Sequence, residues 1–125
     1  MKYLCLICAE KVMEQMPETD ATAHFAEYTE FTDAIRASGH YLGCNRLLPP
    51  SEAITIRVRN NKITTTDGPY VETKEQLGGY YLIEARDLNE AIQVAARIPG
   101  AKLGCVEVRP VAEDEQTLKA LGFVD

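Results

Sequence analysis

Apolar residues follow a strand pattern at the start of the chain and a helical pattern after it. Residues 2–9 are apolar almost without interruption, which is typical of a central strand covered on both faces. From Pro17 to Ser38 the apolar residues recur at helical spacing, and Pro17 and Gly39 are residue types found where helices begin and end. The sequence therefore predicts a first strand and, after a polar connection over residues 10–16, a long helix.

The middle of the chain carries three further strand patterns. Residues 40–48 predict a second strand, and the alternation over residues 53–59 predicts a third strand with one buried and one wet face. Asn60-Asn61 is a two-residue hairpin signal, because Asn accepts the positive φ that a type I′ turn requires. Residues 62–67 then predict a fourth strand that returns beside the third.

A two-residue turn determines which residues of this hairpin face each other. It pairs Val58 with Ile63 and Ile54 with Asp67, and directly opposed residues share a face. We therefore expect Asp67 to lie on the same inward face as the apolar side chains. An acid in that position needs hydrogen-bond donors or water, because an unpaired buried carboxylate is costly.

The second half of the chain repeats the order of strand and helix. Residues 80–85 predict a fifth strand. Asp87 is the first residue of a sequence that resembles a capping box and predicts the start of a second helix, and Pro99 predicts the end of that helix. Residues 103–109 predict the last core strand, and residues 112–121 predict a short C-terminal helix.

This order of elements predicts an α+β fold of the ferredoxin-like (split β-α-β) type with an inserted β-hairpin. The fold is expected to form one domain over residues 1–125. Each long helix has one apolar stripe, so both helices are expected on one face of a mainly antiparallel sheet. The other face also needs a cover, because the first strand is apolar on both sides. A second copy is the simplest cover, which predicts a homodimer packed sheet to sheet. The C-terminal helix is the alternative cover.

Charge and apolar run lengths exclude several classes of protein. The chain has 125 residues with 13 Lys and Arg against 19 Asp and Glu, a net charge of −6 that argues against nucleic-acid binding. No segment approaches the length of a membrane span, and the N-terminal apolar run is too short for a signal peptide. We therefore expect a cytoplasmic protein without nucleic-acid or membrane partners.

The four cysteines predict neither a metal site nor a disulfide. Cys5 and Cys8 have CxxC spacing, but residues i and i+3 of a strand point to opposite faces. Cys44 and Cys105 stand far from them in the sequence. All four are expected to be small hydrophobic residues in a reducing environment.

His24 is a candidate functional residue on the first helix. It lies on the same helical face as Tyr28 and Phe31 and is therefore expected to point toward the sheet. One interpretation is a buried neutral histidine with a satisfied hydrogen bond. The other is a site residue, because histidine is well suited to proton transfer near neutral pH.

Most of residues 66–81 show neither the helical nor the strand spacing of apolar residues. This stretch begins with turn chemistry at Asp67-Gly68-Pro69 and continues through a charged run. It is either a structural crossover or one wall of a site. In the second case Tyr70 and Tyr81 supply a ring surface or a hydroxyl donor, and Lys74 and Arg57 receive an anionic group of the substrate.

Three segments resemble the YCII-related family, in its DGPF-domain branch. They are Asp67-Gly68-Pro69-Tyr70, residues 72–83 and the terminal Val-Glu-Val-Arg-Pro at residues 106–110, with Tyr70 where the name-giving motif has Phe. The resemblance implies a dimeric α+β barrel whose cleft holds a His and Asp pair, and His24 matches the first-helix histidine of the YCII enzymes. It also implies two functional contexts: one relative is a dehydrochlorinase of chlorinated aromatics, and DGPF genes are often found beside sigma-factor genes.

Two functional hypotheses follow. In the first, the chain is a small acid–base enzyme, lyase or dehydrochlorinase-like, in which Asp67 orients His24 and His24 moves a proton on a small molecule. The sequence contains no Gly-rich phosphate cradle, nucleophile elbow or metal-ligand cluster, so this mechanism uses neither metal nor cofactor. In the second, the chain is a non-catalytic dimer that binds a small ligand or a regulatory partner such as a sigma factor. Asp67 then accepts backbone N–H groups of its own loop.

Overall fold

The computed structural model describes residues 1–10, 16–71 and 73–124. Most of the expected polar connection, residues 11–15, lies outside the described residues, as does Glu72 within the central stretch. The described residues form the strands β1 (Lys2–Glu10), β2 (Tyr41–Arg46), β3 (Ile54–Arg59), β4 (Lys62–Asp67), β5 (Glu75–Glu84) and β6 (Cys105–Pro110). They also form the helices α1 (Glu18–Ala37), α2 (Leu88–Ala95) and α3 (Glu115–Ala120), with 3₁₀ turns at Pro50–Glu52 and Pro99–Lys102.

The strands form two separate antiparallel sheets. The main sheet has the order β2-β5-β1-β6, so the first strand lies in its interior. The second sheet contains only β3 and β4. The α+β class is therefore confirmed, and the hairpin is an addition to the main sheet and not part of it.

One hydrophobic core lies between the main sheet and its helices. Phe31 and Ile35 of α1 and the small residues of α2 pack on alternate residues of the two central strands. The buried members are Tyr3, Cys5, Phe31, Ile35, Tyr81, Ile83, Ala85, Ala91, Val94, Ala95 and Ile98. Strand residues alternate between the two faces of a sheet. Tyr3 and Cys5 of β1 therefore face the core, and Leu4 and Leu6 lie on the opposite face of the main sheet.

Helix α1 begins and ends close to where the sequence predicts, whereas α2 begins as predicted but ends at Ala95, before the predicted end at Pro99. The Asp87 carboxylate caps α2 by accepting the Glu90 N–H at 2.9 Å, as its capping-box pattern indicates. Gly39 adopts φ +82° after α1, and the next N–H, that of His40, donates to the Ile35 carbonyl at 3.0 Å. Ending the helix with this hydrogen bond requires a positive φ at residue 39, which glycine adopts without steric cost.

Strand β5 begins five residues earlier than its sequence pattern indicates. The sequence predicts a start at Tyr80, whereas the strand begins at Glu75. Residues 75–79 lack strand propensity, but they pair with residues 7–10 of β1 across a bulge at Ile7 and Cys8. Pairing with a distant strand therefore overrides the local preference.

The hairpin has the predicted register but not the predicted burial. Ile54 pairs with Asp67 and Val58 with Ile63, and Asn60 and Asn61 have φ of 52° and 63°. The face that was expected in the core is exposed: the accessible fractions are 63% for Ile54, 64% for Ile56, 56% for Val58 and 73% for Ile63. Asp67 is exposed as well, so the expectation of an inward-facing acid is wrong for the single chain. The physical reason is that β3 and β4 do not join the main sheet.

The C-terminal helix does not enlarge the core. α3 contains no buried residue, and Leu121 and Phe123 after it are exposed. Within the described ranges, no helix combines the length and the apolar composition needed to cross a membrane.

Candidate functional site

A cleft of about 730 Å³ lies beside α1 and the strands β2 and β5. Its volume falls in the range of small-molecule sites in proteins. Several segments line it: the end of β1 at Ile7 and Ala9, α1 with Met16 before it, the run from β2 to the first 3₁₀ turn, residues 76–81 of β5, and residues near Gly100. The second half of the family-like stretch, from Gln76 to Tyr81, is thus one wall of this cleft.

Helix α1 presents two ridges of side chains to the cleft. Each ridge has a spacing of four residues, and residues i and i+4 lie on the same face of a helix. One ridge consists of Ala21, Phe25, Thr29 and Asp33, and the other of His24, Tyr28, Thr32 and Arg36. The apolar stripe of this helix identified His24 on the second ridge, whereas Thr32 and Arg36 were missed although they continue the same four-residue spacing.

Tyr81 is held at the base of the cleft by a hydrogen-bond chain. Thr32 Oγ1 donates to the Tyr28 carbonyl at 2.8 Å and lies 2.7 Å from the Tyr81 hydroxyl. Because the threonine hydroxyl has one proton, the Tyr81 hydroxyl is the donor of the second bond. Burial raises the pKa of Tyr81, so its phenol stays protonated and the chain remains intact at neutral pH.

Tyr28 is fixed by the backbone of the 3₁₀ turn that precedes β6. The Gly100 N–H donates to the Tyr28 hydroxyl at 3.0 Å. A Cβ atom at residue 100 would lie 2.5 Å from that hydroxyl oxygen, so only glycine fits there without rearrangement. Burial also raises the pKa of Tyr28, which keeps it a neutral phenol with one proton to donate.

His24 lines the cleft at the start of its ridge and is half-buried. Its ring meets the Tyr28 ring edge to face with centroids 5.0 Å apart. Tyr28 in turn lies parallel to Tyr81 at 6.4 Å. The three rings form a continuous aromatic side to the cleft, and His24 is its most N-terminal member on α1.

Cationic and amide groups lie at the other end of the cleft. Arg36 has its guanidinium carbon 4.6 Å from the Tyr41 ring centroid and its Nη1 3.9 Å from the Asp33 carboxylate. Arg46 of β2 also lines the cleft and is exposed. Arginine in a cleft with aromatic walls is suited to planar anionic groups, because its donors form a rigid fork.

Gly79 of β5 lets the cleft wall form. A Cβ atom at Gly79 would lie 2.8 Å from the Asn45 carbonyl oxygen, so β2 and β5 approach closely at this point. Next to it, Asn45 Nδ2 donates to the Tyr80 hydroxyl at 2.7 Å. Gly79 is therefore a packing requirement of the strand pair, whereas a Cβ atom at Gly78 would meet only the Ile7 carbonyl oxygen, at an ordinary contact distance of 3.9 Å.

The structure brings two of the six predicted site residues to the cleft, His24 and Tyr81. The other four are exposed and are not among the lining residues in the described part of the chain: Arg57, Asp67, Tyr70 and Lys74. The Asp67-Gly68-Pro69 turn is instead closed onto β3. The Gly68 N–H donates to the Ala53 carbonyl at 2.7 Å, and Thr55 Oγ1 donates to the Gly68 carbonyl at 2.8 Å. The single chain therefore does not assemble His24 and Asp67 as a pair.

The sequence pattern described as the YCII-related domain matches residues 1–115, so the chain belongs to the YCII-related family. An uncharacterised protein of Rhizobium meliloti (strain 1021) is 44% identical over 69 residues, which are 54% of this chain and 56% of that protein. The chain thus spans a little over half the length of this relative.

One solved structure shares the fold at low sequence identity. It is 5-chloro-2-hydroxyhydroquinone dehydrochlorinase from Burkholderia phenoliruptrix AC1100, in complex with 2,5-dihydroxybenzoquinone. The TM-score is 0.55 at 13% identity, over 93% of this chain and 98% of that chain.

Proposed function

We propose that this member of the YCII-related family binds a small planar ring compound with an anionic oxygen in the cleft beside α1. The observation that carries the proposal is the combination of an aromatic side, formed by His24, Tyr28 and Tyr81, with two exposed arginines, Arg36 and Arg46, that line the same cleft. A ring is recognised by stacking and edge contacts, and an ionised oxygen is recognised by a guanidinium group.

In the catalytic form of this proposal, His24 is the acid–base group. It is half-buried, it faces the cleft, and its neighbour Tyr28 is a phenol that stays protonated. Proton transfer to or from a ring carbon or a ring hydroxyl is the chemistry such a pair performs. A lyase or dehydrochlorinase-like reaction is of this class.

Calorimetric titration with 2,5-dihydroxybenzoquinone tests the binding proposal, with its 2,5-dimethoxy analogue as the neutral comparison. The dihydroxy compound is acidic and is expected to bind more tightly than the neutral analogue. Replacing Arg36 by Gln is expected to weaken its binding about tenfold, which corresponds to the loss of one charge-assisted hydrogen bond. Arg59→Gln is the matched control, because Arg59 lies on the hairpin, away from the cleft, and its guanidinium donates to the Val58 carbonyl. Equal affinity of wild-type protein for both compounds, or no affinity for either, contradicts the proposal.

We further propose that two copies associate as a ferredoxin-like dimeric barrel. The support is the hairpin, whose apolar face is exposed and whose two strands have no other strand beside them in the described chain. A two-stranded hairpin is marginal by itself in water, so a surface that covers this face stabilises it. In such a dimer the pairing of Asp67 with a histidine would be made across the two copies, because Asp67 does not line the cleft of its own chain.

The same exposed face supports the second functional hypothesis, a non-catalytic module whose hairpin docks on a regulatory protein such as a sigma factor. The two hypotheses differ in what His24 does. In the enzyme, His24→Gln abolishes turnover of a bound ring compound, and in the regulatory module it leaves protein binding unchanged. Co-purification of the sigma factor with the wild-type chain, and its loss on Ile63→Lys, would favour the module.

A further inference from the structure

Two cysteines that are far apart in the sequence are direct partners across two strands. β1 and β6 are antiparallel, and Cys8 pairs with Cys105. One residue beyond the other end of the ladder, the Val111 N–H donates to the Lys2 carbonyl at 2.9 Å. Hydrogen-bonded pairs alternate along an antiparallel ladder, so Cys8 and Cys105 are also a hydrogen-bonded pair.

This geometry suits a disulfide. Directly opposed residues of an antiparallel pair have Cα atoms about 4.5–5.5 Å apart, a separation that a disulfide can span. The start of β6 lies very close to β1, because a Cβ atom at Gly104 would overlap the Cys8 carbonyl oxygen. Both side chains point to the same face of the sheet, and each thiol affects the pKa of the other.

The two thiols are reduced and differ in access. Cys105 is exposed on β6, the outer strand of the main sheet, and Cys8 is half-buried on β1. The other two cysteines lie elsewhere: Cys5 is buried in the core, and Cys44 lines the cleft on β2. An oxidant from solution therefore meets Cys105 first and finds Cys8 beside it.

We propose that Cys8 and Cys105 form a reversible disulfide within one chain when the protein meets a low-molecular-weight disulfide. In the first step the Cys105 thiol loses its proton and attacks one sulfur of the small disulfide. The S–S bond of the small molecule breaks, and one small thiol leaves with that proton. In the second step the Cys8 thiol loses its proton and attacks the Cys105 sulfur. The mixed disulfide bond breaks, and the second small thiol leaves with the Cys8 proton. Two protein thiols are oxidised, and one small disulfide is reduced to two thiols.

Acidic groups around the pair slow the first step. The Glu75 side chain, as a hydrogen-bond partner, raises the pKa of the Cys105 thiol to about 11, with smaller contributions from burial and from Cys8. Burial raises the pKa of Cys8, and the charges of Glu107 and Glu75 raise it further. Since the thiolate is the attacking species, Glu75 lowers the fraction of reactive Cys105 thiolate and slows oxidation. It does not act as a base that promotes the reaction.

Peptide mapping of the non-reduced protein after incubation with oxidised glutathione tests the proposal. In the wild-type protein we expect one linked peptide pair that contains Cys8 and Cys105, and its reversal by dithiothreitol. In Cys8→Ser we expect a stable glutathione adduct on Cys105, because the resolving thiol is absent. Cys44→Ser is the control variant and is expected to form the Cys8 to Cys105 link at the wild-type rate.

A rate comparison adds a second measurement. Glu75→Gln is expected to speed formation of the link by about three- to tenfold, since a lower thiol pKa increases the thiolate fraction more than it reduces nucleophilicity. Glu115→Gln, on α3, is the matched control. Three results would overturn the proposal: a glutathione adduct that persists on Cys105 of the wild-type protein, disulfide-linked dimers in place of the linkage within one chain, or no reaction at Cys105.

Discussion

The hydroxyl of Tyr28 accepts a 3.0 Å hydrogen bond from the backbone N–H of Gly100, 72 residues further along the chain. This bond connects α1 to the 3₁₀ turn before β6 and sets the position of the tyrosine ring in the cleft. The turn has no room for a side chain at residue 100. A substitution of Gly100 therefore tests the packing between this turn and Tyr28 directly.

Gly100→Ala is expected to destabilise the fold by about 1–3 kcal/mol, the usual range for overpacking a well-packed site. The new methyl group would meet both the Tyr28 hydroxyl and the Ile7 side chain. Gly43→Ala is the matched control, because nothing lies within 4 Å of its Cβ position. Urea denaturation of the two variants measures the difference, and equal stabilities would contradict the packing described for Gly100.

Tyr81→Phe is expected to lower the free energy of unfolding by about 1 kcal/mol, because it removes the bond to Thr32 in a buried setting. Tyr80→Phe is the comparison: it removes a similar bond to Asn45, but on the exposed side of the strand pair. We expect that change to be within about 0.5 kcal/mol of zero. A larger loss for Tyr80→Phe than for Tyr81→Phe would contradict the role assigned to the Thr32 chain.

Stability is expected to fall as the pH rises above about 9. Burial raises the pKa of Cys5 to about 11 and the pKa values of Tyr28 and Tyr81 above 10 in the folded state. These groups therefore lose their protons at lower pH in the unfolded chain than in the folded chain. Their full contribution to the free energy of unfolding is present below the pKa values of the unfolded chain. It is lost as the pH rises through the pKa values of the folded chain. Chemical denaturation between pH 7 and pH 11 measures this loss. The Tyr81→Phe variant is expected to have a shallower decline.

Ligand binding is expected to perturb one of the two histidines. His24 lines the cleft, whereas His40 is held outside it by Ser38 at 2.7 Å and Glu90 at 3.1 Å. NMR titration with 2,5-dihydroxybenzoquinone should therefore shift the imidazole signals of His24 and leave those of His40 in place. His40→Gln confirms the assignment. Shifts of His40 alone would show that the compound binds elsewhere.

The proposed dimer is expected to depend on one face of the hairpin. Ile56→Lys places a charge among the exposed aliphatic side chains, and Thr64→Lys places the same charge on the opposite face of the same hairpin. Sedimentation at micromolar concentration is expected to show dimers for the wild-type protein and for Thr64→Lys, and monomers for Ile56→Lys. A monomeric wild-type protein, or dissociation by both variants, would argue against association through this face.

Local signals in the sequence were sufficient for most elements and for their order. The capping aspartate of α2, the glycine after α1 and the Asn60-Asn61 turn each act over a few residues, and the structure has each of them where it was predicted. The early start of β5 was missed because residues 75–79 have no strand preference of their own and depend on β1.

The candidate site was predicted only in part, for a related reason. His24 and Tyr81 were identified from helix periodicity and from the family-like stretch, and both line the cleft. Thr32 and Arg36 continue the ridge of His24 and Tyr28 but were missed, because the prediction followed apolar residues and polar residues at the same spacing were not counted. Asp67 was expected to face the core, since alternation identifies the face of a strand but not what covers that face.

The sequence by itself determined the α+β order of elements and the register of the hairpin, because turn chemistry and side-chain alternation act over a few residues. Only the tertiary structure decided which faces are covered, where the cleft lies and that Cys8 meets Cys105. Those outcomes depend on strand pairing between residues nearly a hundred positions apart. No local pattern encodes such a pairing, since many registers bury similar amounts of apolar surface and only the assembled sheet selects one.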